Sequence, residues 1–63
     1  MSRTILKLEA ISAKTGVPIA TLRFYRSQST GPKMFRLGGR VVAFEDDVEA
    51  WVMAQYDAST QAS

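Results

Sequence analysis

The stretch "MFRLGGRVVAF" (residues 34–44) decides how the chain folds. Gly38 and Gly39 stand between two β-prone runs, the arrangement of a two-residue hairpin turn, whose type I′ and II′ geometries need the positive φ that glycine takes without steric cost. Pairing outward from that turn sets Leu37 against Arg40, Arg36 against Val41, Phe35 against Val42 and Lys33 against Phe44. The pleat then sorts the side chains. Phe35, Leu37, Val42 and Phe44 are expected to face a core, with Met34, Arg36, Val41 and Ala43 on the other side. Arginines flank the tip, Arg36 before the glycines and Arg40 directly after them.

Upstream, "LEAISAKTG" (residues 8–16) repeats apolar or small residues at Leu8, Ile11, Ser12 and Thr15, one face of a short helix. Glu9 suits the positive end of that helix, and Gly16 supplies its stop. "VPIATLRFYRSQS" (residues 17–29) restarts a second helix with Pro18 as its first residue, where a missing N–H costs nothing. Leu22 and Tyr25 share its inner face, and Thr21, Arg23, Phe24 and Arg26 fall largely on the others. "QSTGPK" (residues 28–33) is turn chemistry. Downstream, "EDDVEAWVMAQY" (residues 45–56) opens with acids suited to a helix N-terminus and carries Val48, Trp51, Val52 and Tyr56 at helical spacing, predicting a helix that closes the core. Trp51 reads as the centre of that core rather than a stacking platform. Residues 57–63, "DASTQAS", are expected to form a polar, mobile tail beyond a single domain of residues 1–56.

Composition narrows the function classes. A chain of 63 residues buries one minimal core. It has neither cysteine nor histidine, which removes thiolate metal sites, the commonest metal ligand and the usual general base. The acids Glu45, Asp46, Asp47 and Glu49 are explained by the helix dipole and need no metal, so neither a cofactor nor nuclease or recombinase chemistry is expected. No apolar run reaches membrane-spanning length, and the N-terminus lacks the apolar core of a secretory signal, so a cytoplasmic protein without membrane association is expected. The net charge of +2 hides an uneven distribution. All eight basic residues lie in residues 1–40 with Glu9 as the only acid there, whereas residues 41–63 hold five acids and no base. Such a basic block is an electrostatic footprint for nucleic acid. The split also predicts head-to-tail self-association of copies on DNA, with helix-capping acids as the simpler account of the negative end.

The expected order is helix, tight turn, helix, hairpin, helix, an α+β winged helix-turn-helix with a two-stranded wing and a closing helix. "LEAISAKTGVPIATLRFYR" with "FRLGGRVVAFEDDVEAWV" resembles the small winged-helix proteins related to MerR DNA-binding domains, namely AlpA-like regulators and phage excisionases. The likeness spans roughly residues 6–53. "TGVPIATLRFY" is similar to the turn and second helix of the MerR type, "RLGGR" to the wing, and "DVEAWV" to the closing helix. By that resemblance the DNA-contacting set is Thr21, Arg23, Phe24 and Arg26 from the second helix, with Lys33, Arg36 and Arg40 from the hairpin. Two departures stand out: Val17-Pro18 replaces the usual Ser or Thr cap, and Phe24 stands where a tyrosine often touches phosphate. The chain also ends without the long dimerisation helix of ligand-sensing MerR activators. The resemblance implies a non-catalytic excisionase that binds and bends attachment-site DNA cooperatively and steers an integrase toward prophage excision. A short AlpA-like transcription regulator is the alternative, and an adaptor gripping an acidic protein partner is the alternative of another class.

Overall fold

A computed structural model describes residues 3–61. Along them the chain forms β1 (Ile5–Lys7), α1 (Leu8–Thr15), α2 (Ile19–Ser27), β2 (Met34–Leu37), β3 (Arg40–Phe44) and α3 (Glu45–Gln61). Three helices and a three-stranded antiparallel sheet make an α+β architecture consistent with a small winged helix. The sheet order is β1-β3-β2, so the second hairpin strand is central. Around the glycine turn the register pairs Leu37 with Arg40, Arg36 with Val41 and Phe35 with Val42, as the sequence predicts. β1 is an addition. Three residues are too few to announce a strand by periodicity, but Ile5, Leu6 and Lys7 pair with Phe44, Ala43 and Val42.

The core is a cluster of Leu8 and Ile11 from α1, Leu22 from α2, Ala43 from β3 and Val48 from α3. Leu6, Met34 and Val41 pack onto it from the sheet, which reverses the expected faces of the hairpin. The Met34, Val41 and Ala43 side meets the helices, and Phe35, Leu37, Val42 and Phe44 lie on the other side, where Val42 is nonetheless buried, as expected of it, at 4% exposure. Size explains the reversal. Ala43 is fully buried on the central strand in one cluster with residues of α1, α2 and α3, and a phenylalanine there would hold the layers apart. The bulky rings instead pair with each other across the outer face, centroids 5.2 Å apart.

The helix ends follow from local chemistry. Gly16 ends α1 in the left-handed conformation at φ 80°, its N–H donating to the Ser12 carbonyl at 2.7 Å. The Thr15 hydroxyl donates to the Ile11 carbonyl and accepts from the Val17 N–H, which fixes the three-residue turn into α2. Pro18 is the N-cap rather than the first helical residue, since its ψ of 148° is extended. Its carbonyl still accepts the Leu22 N–H at 3.0 Å.

α3 differs most from expectation. Glu45 follows Phe44 without a linker, and its N–H donates to the Thr4 carbonyl at 2.7 Å. Only the first turns of the helix lie against the core. Val48 is fully buried and Trp51 is half-buried on Tyr25, but Val52 and Tyr56, expected as core, are exposed. A 17-residue helix is about 25 Å long and outruns the small layer beneath it. The helix also continues through residues 57–61, where a polar tail was expected, because no glycine or proline follows Gly39 to stop it. Residues 62–63 of that expected tail lie outside the described residues.

Gly31 is the tightest point of the α2–β2 connection. Its φ is +78°, and a Cβ there would come within 2.8 Å of the Tyr25 Cβ. Gly39 has a similar φ of +82° with nothing within 4 Å. Gly31→Ala should therefore cost about 2–3 kcal/mol of stability from backbone strain plus overpacking, against about 1 kcal/mol for Gly39→Ala. Urea unfolding of both variants measures the difference, and equal losses would contradict the packing of Gly31 on Tyr25.

Candidate nucleic-acid interface

The eight basic residues divide into two groups. Arg3 is bound to the start of α3: its Nε donates to both Asp46 carboxylate oxygens at 3.1 Å and its Nη2 to Asp47 Oδ2 at 3.0 Å. Lys14 Nζ lies 3.0 Å from Glu49 Oε2 and 3.5 Å from Glu45 Oε2. These hydrogen bonds and charges raise the pKa of both cations and hold the Asp46 carboxyl below its ordinary range. Exposed pairs of this kind add little stability. Their consequence is electrostatic, because four of the five acids after residue 40 are occupied by Arg3 and Lys14.

Among the described residues, Lys7, Arg23, Arg26, Lys33, Arg36 and Arg40 have no ion-pair partner. They surround α2 and the hairpin. A groove of about 300 Å³ is lined by Lys7, Leu8 and Glu9 at the start of α1, by Ile19 and Arg23 of α2, and by Gly39, Arg40 and Val41 of the hairpin. Arg23 and Arg40, far apart in sequence, thus border one cleft. A second groove of about 420 Å³ lies at the other end of α2, between Arg26 and the connection through Lys33 to Met34. There Arg26 Nη1 donates to the Met34 carbonyl at 3.4 Å.

The remaining expected contacts are dispersed. Positions turn by about 100° per residue, so Thr21 and Arg23 lie on opposite flanks of α2. Thr21 is half-buried, whereas Arg23, Phe24 and Arg26 are exposed, Phe24 to 60%. Arg36 shares the helix-facing side of the hairpin with Met34, and Arg40 shares the outer side with Leu37, so the two wing arginines point to opposite faces. Lys7 is a cleft residue that sequence reasoning passed over. Its signal was the unrecognised strand, since only pairing with Val42 brings it beside the wing.

No group of side chains among the described residues has the makings of a metal site, and no helix there is long and apolar enough to cross a membrane. Comparison of the chain with protein-family models, with curated proteins and with solved structures gives no match. The reading of the site therefore rests on its geometry and charge.

Acid titration tests the charge sorting. Asp46 has its pKa depressed by Arg3, so the pair's contribution is complete above the ordinary aspartate range and disappears as pH falls through the depressed value. In Arg3→Gln the Asp46 carboxyl should titrate upward, toward the ordinary aspartate range. NMR of the side-chain carboxyl carbon measures this, and an unchanged midpoint would show that Arg3 does not hold it.

Proposed function

We propose that the chain is a non-catalytic, duplex-DNA-binding winged helix-turn-helix protein of the phage-excisionase kind, binding and bending attachment-site DNA and steering an integrase toward excision. The observation that carries this reading is the set of six cations around α2 and the hairpin that have no ion-pair partner among the described residues, with four of the five acids of α3 paired elsewhere. The α1–α2 pair, joined by three residues, suits a helix-turn-helix, in which α2 enters the major groove. Arg23 then reads a base edge from α2 while Arg40 grips a phosphate from the wing. Thr21 makes a marginal contact at most, given its burial.

Head-to-tail association of copies belongs to the same reading, on a changed basis. With four acids of α3 already paired, Asp57 is the one carboxylate of that helix left for a neighbour among the described residues. The apolar Val52, Met53 and Tyr56, all exposed, supply the rest of the contact.

Binding curves over a salt series test the interface. Arg23→Ala should weaken binding to the specific site by about 1–3 kcal/mol and relax its selectivity. Arg40→Ala should weaken all duplexes alike and lower the salt slope by about one. Unchanged affinity in both variants would remove this face from the mechanism, and failure of generic duplex DNA to compete for the bound partner would favour an acidic protein in its place.

A further inference from the structure

The sheet has a second face that the helices do not use. Strand alternation puts Ile5, Lys7, Phe35, Leu37, Arg40, Val42 and Phe44 on the side away from the core. Ile5 and Leu37 are 46% and 49% exposed there, Phe35 and Phe44 are half-buried, and Val42 beneath them is buried at 4%. A sheet face this apolar is ordinarily buried against another layer.

Flat groups occupy its centre. The Phe35 and Phe44 rings lie 5.2 Å apart with their planes inclined by 35°. The Arg3 guanidinium carbon sits 3.9 Å from the Phe44 ring centroid, and Asp46 and Asp47 hold that guanidinium by its edge. Arg3 remains 46% exposed, so a planar, positively charged group is presented to solvent in a fixed orientation. At the other end of β3, about 13 Å away, the same face carries Arg40, with Lys7 between them on β1, and neither cation has an ion-pair partner among the described residues.

We infer that this open face is a second nucleic-acid site, for a short single-stranded segment. Aromatic rings and arginine planes accept stacked bases whatever their sequence, and a cationic border tracks the phosphates. The carboxylates of Asp46 and Asp47 repel phosphate at the Phe44 end, so bases lie over Arg3, Phe44 and Phe35 while phosphates lie toward Lys7 and Arg40. Face-to-face pairing with a second copy would oppose these same cations and is disfavoured by like charge. Arg40 and Lys7 border both this face and the α2 cleft, but the Phe35 and Phe44 rings and the Arg3 plane line only this face, so loss of the rings separates this site from the duplex contacts.

The test is fluorescence anisotropy with a labelled ten-nucleotide oligo(dT), beside an oligomer of the same length made of abasic sugar-phosphate units. Oligo(dT) should bind about tenfold more tightly than the abasic chain. Phe35→Leu, which keeps an apolar side chain and loses the ring, should weaken oligo(dT) by a similar factor. Affinity for a blunt duplex should stay unchanged in that variant. Arg3→Lys, which keeps the charge and loses the plane, should weaken oligo(dT) severalfold, and thermal melting checks that both variants remain folded. Absence of oligo(dT) binding, equal affinity for the abasic chain, or full affinity in Phe35→Leu would overturn the proposal, as would capture of an acidic peptide by this face in preference to the oligonucleotide.

Discussion

Ala43 sets the distance between the sheet and the helices, and most of the architecture follows from that spacing. It is fully buried on the central strand, against which α1 and α3 pack, and it shares one core cluster with Ile11, Leu22 and Val48 from the three helices. A methyl group lets these side chains gather in one cluster, which is how so short a chain closes a core at all. The parity of β3 is thereby fixed. Once Ala43 faces inward, Val41 follows it, Val42 and Phe44 turn outward, and their partners Phe35 and Ile5 go with them. The direct passage from Phe44 to Glu45 then places the start of α3 beside Thr4, within reach of Arg3.

That last contact links fold to electrostatics. The acids at the start of α3 suit the helix dipole, and by pairing with Arg3 and Lys14 they also take two cations out of the basic surface. The loss sharpens the surface. Among the described residues, the six cations that remain lie around α2 and the hairpin, and Glu9 is the one carboxylate lining the cleft that Lys7, Arg23 and Arg40 border. The stabilisation from these exposed pairs is small, so their weight in the molecule lies in where they leave charge unpaired.

What the sequence made legible is what local chemistry decides. The Gly38-Gly39 pair fixes the hairpin register to the residue, and Gly16 fixes the end of α1. The face of the hairpin was misread because both faces are apolar: Phe35, Leu37, Val42 and Phe44 outweigh Met34, Val41 and Ala43 by any hydrophobic count. Only the core cluster shared with three helices shows that the smaller residues must be inside. β1 was invisible for a similar reason, being three residues whose strand character comes from pairing with β3. In the candidate interface, Arg23 and Arg40 were legible from charge and from their places on a helix and a turn. Lys7 was not, because its nearness to Arg40 exists only once β1 and β3 are side by side. Thr21 was placed on an accessible flank by its helical position, but it is half-buried in the folded chain.

The two surfaces assigned to nucleic acid meet at β3. Its first residue, Arg40, lines the cleft shared with Arg23 and also belongs to the outer face that carries Phe35 and Phe44. Lys7 occupies the same double position from β1. On the proposed reading a phosphate held by these two cations would satisfy charge for whichever surface is engaged, so the surfaces would share their electrostatics while differing in what they recognise. On that reading the cleft would recognise through Arg23, a directional donor on a helix, and the sheet face through flat groups with no directional preference. Specificity and tolerance would thus be separated by one strand's alternation, with Val41 and Ala43 turned to the helix layer and Phe44, over the buried Val42, turned to the other face.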